Sequence, residues 1–112
     1  MKKIYRLKSK MEIDHVFKVK KVIKNDKLAV HYTKEIHQKN FKFAISIGRK
    51  YGSAVERNLI KRRIRQAILE LKDQIPDQTQ FVVVVYPKAN TLTYQDIINT
   101  LSNTIKKITE HI

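Results

Sequence analysis

The chain contains no cysteine. That excludes disulfides, thiolate metal sites and a cysteine nucleophile together. Glycine and proline are scarce, with two of each in 112 residues, and no segment reads as a Gly-, Pro- or Ser-rich linker or as a repeat. No apolar stretch approaches the roughly 20 residues that a membrane-spanning helix needs. The start, Met1-Lys2-Lys3-Ile4-Tyr5-Arg6-Leu7-Lys8, has the charge of a secretory signal but no apolar run behind it. These absences predict a cytoplasmic protein. Acidic residues are also few, 10 against 24 Lys and Arg, for a net charge of +14.

The length suits one domain, residues 1–112, able to bury roughly two-thirds of its unfolded surface in a core without staples. A hydrophobic fraction of 42% fits a globular chain. The charge is unevenly placed. Residues 1–65 hold 20 basic and 5 acidic residues, whereas residues 66–112 hold 4 and 5. So one-sided an excess predicts a polyanionic partner, with RNA, DNA and an anionic membrane surface as the candidates.

Three segments open with Ser/Thr-x-x-Glu/Asp, a pattern that caps helix starts: Ser9 with Glu12, Ser53 with Glu56, and Thr93 with Asp96. They predict helices at about 9–19, 54–72 and 94–110. Ile13, Val16 and Phe17 share a face of the first. Ile60, Ile64, Ala67, Ile68 and Leu71 share a face of the second, and Ile97, Leu101, Ile105 and Ile108 a face of the third. Strands are predicted at Leu28–Thr33 and Phe41–Ile47, where apolar residues alternate, with a further short one at Val22–Ile23. Phe81–Tyr86 is apolar without alternation, as in a strand covered on both faces. The expected fold is α+β, a small mixed sheet with helices packed on it, in the order α-β-β-(β)-α-β-α.

Residues 49–65 carry the functional signal. They hold seven basic residues against one acid, and five of the chain's six arginines. Lysine enrichment elsewhere can follow from overall composition, but arginine gathered on one helix is suited to bidentate phosphate contacts. On a helical wheel Lys61, Arg65, Asn58 and Arg62 form a polar stripe opposite the apolar one. Arg57, in the first turn, borders this stripe, and Arg63 lies on the other flank. A solvated helix face usually mixes signs, whereas no acid interrupts Arg57–Arg65. The preceding loop, Gly48-Arg49-Lys50-Tyr51-Gly52-Ser53, leads to a helix start whose free amides and dipole suit an anion. It is not a Walker-type phosphate loop, so nucleotide hydrolysis is not expected.

The stretch Ile45-Ser46-Ile47-Gly48-Arg49-Lys50-Tyr51-Gly52-Ser53-Ala54-Val55-Glu56-Arg57-Asn58-Leu59-Ile60-Lys61-Arg62-Arg63-Ile64-Arg65 closely resembles the signature of the bacterial ribonuclease P protein subunit. That family reads like S-V-S-K-K-x-G-N-A-V-x-R-N-R-I-K-R-x-x-R at this place. Tyr5-Arg6-Leu7-Lys8, Phe17-Lys18, the length and the Val-rich strand extend the likeness over nearly the whole chain. The departures are Gly48-Arg49-Lys50 for Ser-Lys-Lys, Leu59 for the third arginine of R-N-R, Arg63 at an often apolar position, and Ile13 where an aromatic is common. His31, with Tyr32 beside it, stands where the family often has tyrosine.

The resemblance implies a left-handed β-α-β crossover and an accessory subunit of a ribonucleoprotein endoribonuclease. The catalytic RNA would cleave precursor tRNA with Mg²⁺ held mainly by that RNA, so no catalytic or metal-binding residue is expected on the protein. It implies RNA contacts at Arg49, Lys50, Arg57, Asn58, Lys61, Arg62 and Arg65. It also implies a cleft for the single-stranded 5′ leader at Ile13, Phe17 and His31 or Tyr32, which could stack on unpaired bases; for Phe17, plain core packing competes with that role. The partners are the catalytic RNA and precursor tRNA, with no membrane and no protein partner. A general basic RNA binder, such as a ribosomal accessory protein, explains the charge but not the extended likeness. A metal-independent ribonuclease acting alone would have to draw on His15, His31, His37 or His111, which show neither metal-ligand spacing nor an accompanying carboxylate cluster.

Overall fold

All three helix starts are reciprocal caps. In the computed structural model, which describes residues 3–111, the Glu12 and Glu56 amides donate to Ser9 and Ser53 Oγ at 3.1 and 3.2 Å, and the two glutamates accept from the serine amides at 3.1 Å. Thr93 and Asp96 make the same exchange at 3.0 and 3.1 Å. Each cap satisfies amides that the first turn would leave unpaired. The helices that follow are α1 (Lys10–Lys18), α2 (Ala54–Glu70) and α3 (Tyr94–His111).

Four strands form one sheet: β1 (Val22–Lys24), β2 (Leu28–Lys34), β3 (Lys42–Ile47) and β4 (Thr79–Val85), in the spatial order β1-β2-β4-β3. β4 pairs antiparallel with β2 and parallel with β3, so β3-α2-β4 is a crossover unit. The short strand expected at Val22–Ile23 is present as β1. The last strand starts two residues before the apolar run, at Thr79, and stops at Val85. Tyr86 falls outside it, as the N-cap of the short 3-10 turn at Pro87–Thr91.

Alternation sorts each strand between two cores. On one face Val30, Tyr32, Phe43, Phe81, Val83 and Val85 meet Ile60, Ile64 and Ile68 of α2 and Ile97, Leu101 and Ile105 of α3. Phe43 and Phe81 stack there with centroids 5.5 Å apart. On the other face Val82 meets Val16 of α1 and Leu7, with Ile13, Phe17, Ala44 and Val84 packed around them. The unbroken apolar run of β4 is thereby explained, because it is covered on both faces. The layers are α1, sheet, then α2 with α3.

The segment before α1 is tied to the free edge of β3. Arg6 bridges Phe43 in parallel register, the Leu7 amide donates to the Phe43 carbonyl at 3.1 Å, and Tyr5 stacks on Phe41 at 4.7 Å. No helix among the described residues is long and apolar enough to cross a membrane.

Candidate nucleic-acid interface

α2 buries Ile60, Ile64, Ala67 and Ile68 and turns its basic stripe outward. Asn58 and Arg62 are exposed, while Arg57, Lys61 and Arg65 are half-buried. Arg49 and Lys50 stand exposed on a 3-10 turn, Arg49–Tyr51, just ahead of the helix. The ion pairs among the described residues are His15–Glu35 and Lys88–Asp26. No cation of α2 has a carboxylate partner among those residues. Unpaired like charges along one helix repel, and an external polyanion relieves that repulsion.

Lys61 and Arg65 do not stand alone. They line a cavity of about 360 Å³ with Arg6, Lys8, Ser9, Lys10 and Ile13, over a floor that includes Phe43 and Ala44. Five cations and no carboxylate face this space. The start of α1, at its wall, is already capped by Ser9 and the Glu12 carboxylate, so the positive character of the cavity comes from its side chains. Arg65 Nε is buried without a hydrogen-bond partner. A buried unsatisfied donor costs about 1–3 kcal/mol, which an anionic acceptor in the cavity would recover. Lys8 also lines a second, open depression of about 430 Å³ with His37, Lys39 and Lys42, so positive potential continues toward the β2–β3 loop.

Beside the cavity, Ile13 and Phe17 of α1 pack against the sheet around Val16 and Val82. Ile13 belongs to the cavity wall, and Phe17, one turn on, meets His31 of β2 edge-on with centroids 4.7 Å apart at 70°. His31 Nδ1 is buried and unpartnered. Burial, and then the Lys24 ammonium, hold the His31 pKa below its ordinary 6.5. The neutral ring, with one donor and one acceptor nitrogen, is therefore the favoured form. His15 Nε2 lies 3.1 Å from Glu35 Oε1, linking α1 to the residue just past β2.

Of the expected leader-cleft residues, Ile13, Phe17 and His31 come together here. Tyr32 does not. It is 4% exposed in the core on the opposite face of the sheet, because successive strand residues point to opposite sides. Of the expected RNA-binding residues, the structure brings Lys61 and Arg65 into the cavity and leaves Arg49, Lys50, Arg57, Asn58 and Arg62 along the surface of α2 and its leading turn. Arg6, Lys8 and Lys10 are additions that sequence reasoning missed. Arg6 and Lys8 lie in a stretch with no helical or strand period, placed only by its pairing with β3, and Lys10 opens the helix that follows it. No group of three or more His, Asp or Glu side chains suited to a metal ion occurs among the described residues.

A model of the Ribonuclease P family matches residues 1–109. A protein of Phytoplasma australiense described as a ribonuclease P protein component is 42% identical over 108 residues, covering 96% of this chain and 94% of the relative. Its counterpart in Acholeplasma laidlawii is 40% identical, covering 96% and 91%. Among solved structures, the RNase P protein of Staphylococcus aureus superposes with a TM-score of 0.82 at 28% identity, covering 94% of each chain. That of Thermotoga maritima gives 0.82 at 25% identity, covering 91% of this chain and 96% of the other.

Proposed function

The chain belongs to the ribonuclease P protein family, components of a tRNA-processing endoribonuclease, and from that premise we propose that it acts by binding RNA rather than by cutting it. The basic face of α2 grips the phosphates of the catalytic RNA. The groove beside α1 holds the single-stranded 5′ leader of precursor tRNA. Phosphate contacts of this kind position an RNA without reading its sequence. Phe17 and the neutral His31 ring offer faces for unpaired bases. The observation that carries this reading is the five-cation cavity, with its unpartnered Arg65 Nε, together with the Phe17–His31 ring pair one helical turn along α1 from the cavity residue Ile13.

Scission is the RNA's work, with Mg²⁺ seated in the RNA and supplying the metal chemistry there. The protein's side chains bind and orient. They also screen the repulsion between two RNAs that must lie together, which lowers the Mg²⁺ concentration needed.

Reconstitution tests the reading. The protein, a bacterial ribonuclease P RNA and a precursor tRNA are combined at limiting Mg²⁺. Cleavage at the mature 5′ end should require both RNA subunit and protein. Cleavage by the RNA alone at high Mg²⁺, with no effect of the protein at any concentration, would reduce the chain to a generic basic RNA binder. Cleavage by the protein alone would restore the lone-nuclease alternative.

A further inference from the structure

α1 is nine residues long, shorter than the roughly 12–15 residues at which a helix becomes stable by itself. What it touches therefore decides where it lies. Val16 is its one buried side chain, and Ile13 and Phe17 are half-buried. Apolar burial presses the helix onto the sheet, but it has no direction, so it does not fix the position of the helix along the sheet. At the start of α1, the pairing of Arg6 and Leu7 with Phe43 ties the chain to β3. Nearer its end, His15 Nε2 lies 3.1 Å from Glu35 Oε1, just past β2. His15 is two positions before Phe17, so this second tie sits next to the ring that meets His31.

Glu35 is itself held firmly. Its amide donates to the Gln78 carbonyl at 2.7 Å. Gln78 Nε2 donates back to the Ile36 carbonyl at 3.1 Å. Gln38 Nε2 donates to the carbonyls of Asp77 and Thr79 at 3.2 and 2.9 Å, and Gln38 Oε1 accepts from Gln80 Nε2 at 2.8 Å. These bonds pin the loop after β2 to the entry of β4. The charge pattern singles out the same residue. Residues 1–65 contain 5 acidic residues. Glu12 and Glu56 cap helices, and Asp26 lies 4.0 Å from Lys88. Glu35 takes a histidine although lysines are plentiful. A lysine ammonium rides on a flexible four-carbon stem, whereas the short, rigid imidazole sets a defined spacing between the two elements it joins.

We propose that the His15–Glu35 pair is a positioning device for the leader contact: it holds α1 at the spacing from β2 that keeps Phe17 against His31, with ring centroids 4.7 Å apart. His15 acts through Phe17, and Gln38 acts through Glu35. Neither side chain touches the leader. The inference rests on the leader reading above. Exposure bounds its size. The two side chains are 54% and 41% exposed, and an exposed pair adds little to stability. Removing it should leave the fold standing and weaken leader binding a few-fold rather than abolish it. The gain comes from ordering, since a contact already formed in the free protein costs less to order on binding.

The test uses enzyme reconstituted from the full-length protein and a bacterial ribonuclease P RNA. Affinity is measured for precursor tRNA with and without its 5′ leader, alongside the single-turnover cleavage rate at saturating enzyme. His15→Ala should lower the preference for leader-bearing substrate about threefold. Leaderless affinity, the saturating cleavage rate and the unfolding midpoint of the protein should stay at wild-type values. His15→Gln should restore the preference, because its amide nitrogen reaches toward Glu35 as a donor. Gln38→Ala should lower the preference in the same direction, and the double variant should lose no more than the larger single loss. A His15→Ala protein that keeps the full preference would overturn the proposal. So would a His15→Gln protein no better than His15→Ala, an equal loss on leaderless tRNA, or single losses that simply add. A wild type with no leader preference would overturn the leader reading and the proposal with it, an outcome distinct from a silent His15→Ala in an enzyme that prefers the leader.

Discussion

Arg65 is the side chain on which the binding argument turns most sharply. Its Nε is buried without a partner in a cavity of cations. Arg65→Ala should therefore weaken RNA binding and reduce the salt slope by about one unit, and Arg65→Lys should restore the slope without the full affinity, because an ammonium lacks the guanidinium fork. Equal affinities for the Ala and wild-type proteins across a salt series would remove Arg65 from the interface. His31 supplies a second, independent check. Its pKa is lowered by burial first and by Lys24 second, so the unfolded chain binds a proton more readily than the folded one as pH falls below about 6.5. Its stability contribution is present above that pH and is lost as pH drops through the folded value. Melting temperatures of wild type and His31→Gln, compared from pH 7.5 to 5, should show the steeper decline for wild type. Parallel curves would mean that His31 titrates alike in both states. Alternation required His31 and Tyr32 to face opposite ways, but only the register with β4, where His31 opposes Val82 and Tyr32 opposes Phe81, decides which of them enters the groove.

Helices were legible in the residues because capping is local chemistry. Ser9, Ser53 and Thr93 each start a helix where the pattern places one, and the apolar faces of α2 and α3 are the buried ones. Ser53→Ala should cost about 1 kcal/mol, read as a lowered denaturant midpoint with unchanged slope. It should also loosen the first turn, which carries Arg57 and Asn58. The end of α1 holds the one positive-φ non-glycine residue among those described, Lys20 at φ 61°. A side chain there crowds the left-handed backbone, so Lys20→Gly should raise stability by about 0.5–1 kcal/mol. A drop in the unfolding midpoint would show that the Lys20 side chain contributes more than its backbone costs. The stretch before α1 resisted reading. Arg6, Lys8 and Lys10 are ordinary surface cations by sequence, and only long-range pairing of Arg6 and Leu7 with Phe43 aims them into the same cavity as residues more than fifty positions away. Local pattern contains no signal for such a contact.

Charge asymmetry was visible from composition, and the fold converts it into direction. The basic first 65 residues include α1, the β3 edge and most of α2, which meet around the cavity, while the near-neutral remainder supplies β4 and α3, mainly core. A net charge of +14 attracts any polyanion at a distance. In the proposed reading, discrimination for a leader comes instead from Phe17 and His31, whose rings would accept unpaired bases. Generic attraction and specific placement therefore separate experimentally, since the first fades with salt and the second depends on the leader. The most direct measurement is the affinity of the reconstituted enzyme for precursor tRNA with and without its 5′ leader, for wild type and Phe17→Ala, at one fixed salt concentration. The groove predicts that wild type favours the leader-bearing form by about tenfold or more, and that Phe17→Ala, still folded, loses most of that preference while binding leaderless tRNA as before. Equal affinities for the two substrates in wild type, or an undiminished preference in Phe17→Ala, would contradict it.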